Sequence, residues 1–209
     1  MSHPPPDDDP ELLSRRHSID ELAQASGWTG GIRQGRDWAD VERKLGISLP
    51  DDYKAMLSRF PSGFFRNAIS FENPIDARVD LEEFARDYVG RVVATLSDER
   101  LEYLCDTGYA PFPEPAGLLP WGGDLQGGMF CWLTEPADPN QWPIAYYSAD
   151  LREWFEYDGG VVEMIREVLA RPGGDNLLRR DLDHEEPVFR IPSTYAGESR
   201  GWIPDAEYR

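Results

Sequence analysis

Histidine is almost missing from this chain. The three present are His3, His17 and His184. A Ser/His or Cys/His nucleophile pair, or a histidine-based zinc site, would therefore have to take its histidine from an extension. Cysteine is scarce too: Cys105 and Cys131 form no CxxC pair, which excludes a disulfide framework. The simplest reading is two thiols, at least one of them a small core residue on a strand, with a bridge between them as the alternative. No apolar run approaches the roughly 18 residues of a membrane-spanning helix. The opening MSHPPPDDDPELLSRRH is not a signal peptide, so a soluble, cytoplasmic protein is expected.

Positive charge is also short. Lys and Arg total 21 against 39 Asp and Glu, a net charge of −18. Phosphate neutralisation needs a basic stripe, and none is found, so no nucleic-acid partner is expected; an anionic membrane surface is disfavoured for the same reason. The deficit is uneven. Residues 96–160 hold twelve acids against two bases, whereas residues 37–95 hold eleven against eight. Such a segment favours a basic protein partner, or serves solubility alone.

What is present is apolar and aromatic. The 209 residues are 40% apolar with seven Trp, enough for one packed domain plus extensions, while 18 Pro and 19 Gly imply many turns. Residues 1–17 are expected to be a disordered extension and 18–172 a single domain with an insertion around 72–117. Residues 173–209 read as a C-terminal extension.

The stretch WADVERKLGISLPDDYKAMLSRFPSG, residues 38–63, reads as two short helices joined at Leu49-Pro50. Asp37 is the expected N-cap of the first, with Trp38, Val41 and Leu45 on one face and Gly46 as its stop. Pro50 suits the first turn of the second, Asp51 and Asp52 lie at the positive end of its dipole, and Tyr53, Met56, Leu57 and Phe60 form its buried stripe. These residues resemble the N-terminal signature of the SUKH superfamily, which includes fungal cell-wall-synthesis regulators of the Smi/Knr type and many bacterial toxin-immunity proteins. A weaker match continues through Leu118-Leu119-Pro120-Trp121-Gly122, Gly127, Phe130 and Trp132 to Trp154 and the helix after Gly160. The resemblance is to a scaffold and not to an active site.

Upstream, Ser18 and Glu21 read as a capping box before Ile19, Leu22 and Ala23. Downstream, residues 68–71 suggest a short strand, Asn73-Pro74 a turn, and Asp80 the cap of a helix carrying Leu81, Phe84, Ala85, Tyr88, Val89 and Val92. A further helical turn or two is expected over 97–104, then a Pro-rich loop. From Gly117 the period changes to two: Leu118-Leu119, a turn at Gly122-Gly123-Asp124, then Met129–Leu133 with both side-chain sets apolar, as in a strand covered on both faces. Residues 142–148 and 151–157 extend this into an antiparallel meander. Gly159-Gly160 open a closing helix with Val161, Met164, Ile165, Val168 and Leu169 on one face, and residues 188–191 could add an edge strand.

Candidates for chemistry each have a plainer reading. Asp124, Asp150 and Asp158 sit at strand ends where carboxylates could converge for acid–base work, but Asp is also an ordinary turn residue. The glycines around Asp124 lack a Walker Lys-Ser/Thr and a GxGxxG spacing, so a hairpin loop is the simpler reading. Asp7-Asp8-Asp9 and Glu185-Glu186 do not resemble a calcium loop. No metal and no cofactor is expected.

The expected fold is α+β, an antiparallel sheet of about four to six strands packed with the paired N-terminal helices and the closing helix. The expected function is protein binding without catalysis. The resemblance implies an immunity or antitoxin-like protein that blocks a toxin effector, such as a basic nuclease. Its expected partner contacts are the aromatics Trp121, Trp142 and Trp154 with the acids Asp124, Glu135, Asp138, Asp150 and Glu153. The alternatives are a Smi/Knr-type regulatory scaffold binding other cellular proteins, and an enzyme using carboxylates.

Overall fold

A computed structural model describes residues 10–86, 90, 108–192 and 202–204, with side chains over 15–86, 90 and 108–192. The paired helices form as their caps dictate. Asp37 accepts the Asp40 amide at 2.9 Å and starts α2 (Trp38–Leu45), which ends at Gly46. Pro50 then precedes α3 (Asp51–Leu57), which buries Tyr53, Met56 and Leu57. The Asn73-Pro74 turn closes this unit. Buried Asn73 donates to the Leu57 and Phe60 carbonyls at 2.6 and 2.8 Å, groups that the end of α3 leaves without intrahelical partners.

Among the described residues eight antiparallel strands make one sheet in the order β6-β5-β4-β3-β2-β1-β7-β8. They are β1 (Gly63–Phe65), β2 (Ile69–Phe71), β3 (Leu118–Gly123), β4 (Met129–Leu133), β5 (Ile144–Ser148), β6 (Glu153–Tyr157), β7 (Phe189–Pro192) and β8 (Trp202–Pro204). The α+β class is as the sequence indicates, with more strands than expected. The strands beyond those expected are β1 and β8, and β7 is no edge strand: it pairs with β1 on one side and β8 on the other.

Alternation sorts the side chains of β3 to β5 onto two faces. Leu119, Trp121, Phe130, Trp132, Ile144 and Tyr146 face the helices in the main core. Leu118, Met129, Cys131, Ala145 and Tyr147 form a smaller cluster on the other face, with Tyr109 and Trp154 packed against it. At the centre of the main core Tyr53 meets Trp132 edge-on at 4.8 Å and Trp121 at 6.2 Å. Phe189 of β7 joins Trp28, Phe60 and Phe65 at 4.8 to 5.0 Å, so the C-terminal segment completes the aromatic core.

Two expectations at the N-terminal side are corrected. Helix α1 (Pro10–Ala25) includes residues 10–17, and Ser18 lies inside it and is not its N-cap. Burial of Ile19, Leu22 and Ala23 supplies the reason, since a helix docked by one face propagates beyond the docked residues. Arg15 ties its first half to α3 by a 2.8 Å bond to Asp51. Burial opposes ionisation of Asp51, but hydrogen bonds from Lys54 and Arg15 hold its carboxyl below the ordinary value.

Asp80 caps α4 as expected, accepting the Glu83 amide at 2.9 Å; the described part of that helix is 81–86, with Phe84 buried. Tyr88, Val89, Val92, the turns expected over 97–104, Cys105 and the extension 1–9 lie outside the described residues.

The closing helix α5 (Val161–Ala170) buries Val161, Val162, Met164, Ile165, Val168 and Leu169. Its N-cap, Gly160, has no side chain to offer, and Asp52 of α3 reaches across instead: Oδ2 accepts the Val162 amide at 3.2 Å. The approach is close enough that a Cβ on Gly160 would lie 2.5 Å from that oxygen, so any side chain there would displace the carboxylate. At the other end the buried Arg66 donates to the Leu169 carbonyl at 3.1 Å and twice to the Leu182 carbonyl at 3.0 and 3.2 Å. One guanidinium thus caps α5 and fastens the segment after it.

Two stability predictions follow from these caps. Burial pushes the Asp52 carboxyl above its ordinary 3.8, against the opposing pull of the Val162, Tyr53 and Val161 amides. A carboxyl whose folded pKa is raised contributes stability that is complete below the unfolded value and is lost as pH rises through the folded one. Asp52→Asn keeps an acceptor and cannot ionise, so in urea titrations from about pH 4 to about pH 7 its stability should rise relative to wild type. Asp52→Ala, without an acceptor, should lose about 1 kcal/mol; a wild type that gains on Asp52→Asn across that interval contradicts the assignment. Arg66→Ala leaves two carbonyls without their charged donor and should cost about 2–3 kcal/mol, with Arg66→Lys recovering part of it, both read from denaturant midpoints.

Candidate partner-binding surface

The meander has two ends, and its connections alternate between them. The β3–β4 turn (124–128) and the β5–β6 turn (149–152) lie at one end, and the β4–β5 connection (134–143) lies at the other. This splits the residues expected to form one binding face. Asp124, Asp150 and Glu153 share the first end; Glu135, Asp138 and Trp142 share the second.

Trp121 and Trp142 are not surface anchors. Trp121 is 1% exposed, stacked on Phe130 at 5.0 Å, and Trp142 is 6% exposed, its indole N–H donating to the Pro136 carbonyl at 2.7 Å. Alternation on strands covered on both faces carries aromatics inward, which composition alone does not reveal. Trp154 is half-buried on the face away from the main core, between Tyr109 at 5.2 Å and Tyr147 at 5.4 Å. The Tyr109 hydroxyl donates to Glu156. Glu135, Asp138, Asp150 and Glu153 are exposed; Asp138 also caps a turn of 3-10 helix by accepting the Asn140 amide at 3.0 Å.

Asp124 is an internal strut. Its carboxylate is 1% exposed and meets four donors: the Gln126 and Gly128 amides at 2.8 and 2.6 Å, the Tyr146 hydroxyl at 2.6 Å and Arg180 at 3.3 Å. Burial, and then the bond to Asp124, push the Tyr146 hydroxyl far above its ordinary pKa. Arg180 donates to Gln126 as well, so the C-terminal segment is pinned to this turn. Gly127, at a φ of 89°, supplies the left-handed residue the turn needs.

The second turn is fixed in a similar way. Arg152 sits at a φ of 57°, its amide bonds the Ser148 carbonyl at 2.7 Å, and the Leu151 amide donates to the Ser148 hydroxyl at 3.3 Å. A Cβ on Gly127 would lie 3.7 Å from that of Ala149, which puts the two turns side by side. Each presents a leucine: Leu125 and Leu151 are both 49% exposed and are the exposed large hydrophobics among the described residues. Neither is among the expected contacts, although an apolar residue inside a turn of glycines and polar residues was the available signal.

Groups that could do chemistry are placed elsewhere. Burial pushes the Cys131 thiol far above its ordinary range, which leaves no thiolate to attack a substrate. Asp124 and Asp150 lie at the end of the sheet opposite Asp158, which follows β6. Asp52, the carboxyl with a raised pKa, borders a cavity of about 430 Å³ between α1, α3 and α5 with Arg15, Glu163 and Arg166, and its oxygens are engaged by the Tyr53 and Val162 amides. Among the described residues no group of three His, Cys, Asp or Glu side chains is placed to hold a metal ion, and no helix is long and apolar enough to cross a membrane.

Paired helices packed against an antiparallel meander define an α+β architecture. The family model SUKH_6, described as SMI1-KNR4 cell-wall, matches residues 36–158, from just before the α2 cap to just after β6. The chain belongs to this family. No curated protein and no solved structure matches it.

Removing the strut should loosen the turn. Asp124→Ala strands Arg180 and the Tyr146 hydroxyl and should cost about 2–3 kcal/mol. Amide exchange at Gln126 and Gly128 should accelerate selectively, and unchanged exchange there would mean the turn holds itself.

Proposed function

We propose that this protein is a non-catalytic, cytoplasmic protein-binding domain of the immunity or antitoxin kind, which docks on a toxin effector and blocks it. Membership of the SMI1-KNR4 family is the observation that carries this reading. The partner is a basic domain, such as a nuclease with a cationic substrate groove, because the net charge of −18 is concentrated in the half of the chain that builds the meander. The absence of histidine between residues 18 and 183 and the inert Cys131 thiol support a role without catalysis or cofactor. Of the expected acids, the exposed pair Asp150 and Glu153 at one end of the meander supplies the complementary charge, with Trp154 at the margin; Glu135 and Asp138 lie at the opposite end.

A second reading draws on the family's description, whose "cell-wall" fits a regulatory scaffold that binds other cellular proteins. A toxin-like reading frame beside the gene favours immunity, and its absence favours the scaffold.

A pull-down from the native cell at low and then high salt separates these. A single basic effector released by salt is expected. Replacing Asp150 and Glu153 by their amides should then weaken its binding about tenfold and flatten the salt dependence, whereas Glu135→Gln with Asp138→Asn, at the opposite end, should leave it unchanged. Unchanged affinity on replacing Asp150 and Glu153 would remove the acidic face from the account.

A further inference from the structure

The end of the sheet that carries the two adjacent turns is built differently from the rest of the surface. Exposed loop residues in contact with water are ordinarily polar and mobile. Here two leucines, Leu125 and Leu151, stand about half in solvent on neighbouring turns, and both turns are held from below. The buried Asp124 carboxylate fixes the first through the amides of Gln126 and Gly128, and Ser148 fixes the second through the amides of Leu151 and Arg152. An apolar side chain on a backbone that is already ordered loses little further freedom on binding, which is the economy of a preorganised anchor. Neither leucine belongs to either of the two buried clusters of the sheet.

The surrounding charge selects the occupant. Asp150 and Glu153 flank Leu151, and Asp181 and Asp183 lie on the segment that Arg180 pins to the first turn; all four are exposed, against Arg152 and Arg179. Arg180 itself is committed to Asp124 and Gln126. A second copy would bring the same acids onto these and a further −18 behind them, and an anionic lipid surface is repelled likewise. We propose that this end, with Leu125 and Leu151 as apolar anchors on adjacent turns and the exposed acids Asp150 and Glu153 beside them, is where the protein docks a partner surface offering an apolar contact flanked by Lys or Arg. The proposal rests on the protein-binding reading and names its surface.

A synthetic amphipathic peptide with a leucine stripe flanked by lysines is the probe, titrated into the isotope-labelled full chain and followed by amide NMR. The expected result is shifts concentrated at Gln126–Gly128 and Ala149–Arg152, with affinity falling at least about tenfold in Leu125→Ser/Leu151→Ser. That double variant replaces exposed side chains only, and its unchanged spectrum elsewhere verifies the fold. Weak shifts spread over the acidic surface and indifferent to the double variant would overturn the proposal. So would sedimentation showing a dimer that the double variant dissociates, or binding to vesicles of zwitterionic lipid that it abolishes. A partner captured from the native cell equally well by wild type and the double variant leaves the protein-binding reading standing and sinks this surface. Failure of both to capture any partner sinks the two together.

Discussion

The closing helix is held at its two ends by an acidic and a basic side chain, each from another part of the chain. Asp52, from the helix that follows the Leu-Pro corner, meets the amides at its start; Arg66, from the turn between β1 and β2, meets a carbonyl at its end. Arg66 has the sign that the helix dipole favours at its terminus, Asp52 offers acceptor oxygens although burial disfavours its ionisation, and each satisfies backbone groups that no intrahelical bond reaches. The rest of the packing depends on this arrangement. It sets α5 against α1 and α3, and through the Leu182 carbonyl it brings the C-terminal segment to the side of β1. Gly160 is the complement of Asp52: the missing Cβ is the space the carboxylate occupies.

The described sheet is covered on one face by helices and on part of the other by Tyr109 and its neighbours. The two ends of its meander are not equivalent. One is the connection that runs beside α3, where Asn140 accepts the Asp51 amide at 2.8 Å and is absorbed into the helical layer. The other carries turns that project beyond the layers and are braced by buried polar groups. In such a design the charged residue that fixes the shape of this end, Asp124, lies beneath its surface.

Much of the fold was legible because it is local. The stripes of α3 and α5 and the continuous apolar run of β4 are patterns within ten or so residues, and a cap such as Asp37 or Asp80 acts over three. The strand β7 was legible as a strand and not as an inner one, because its partner, β1, lies more than a hundred residues earlier. The extent of α1 was hidden for a related reason: its docking face is short, and the tertiary contact carries the helix further than its own capping pattern would. In the site, acids and aromatics were read as a single face from their nearness in sequence. The meander sends successive connections to opposite ends, so nearness in sequence became separation in space for Glu135 and Asp150.

The placement of β7 between β1 and β8 also orders events during synthesis. Strand β1 leaves the ribosome early, and β2 can cover one of its edges at once, since the two are joined by a three-residue turn. The other edge stays unpaired until residues 189–192 have been made, and over that interval Phe60, Phe65 and Trp28 lack the ring of Phe189. A nascent chain with an open strand edge beside uncovered aromatics is a substrate for chaperones and a seed for association with its neighbours on the same message. The final strand pairs thus end the molecule's exposure to its surroundings as well as completing its core.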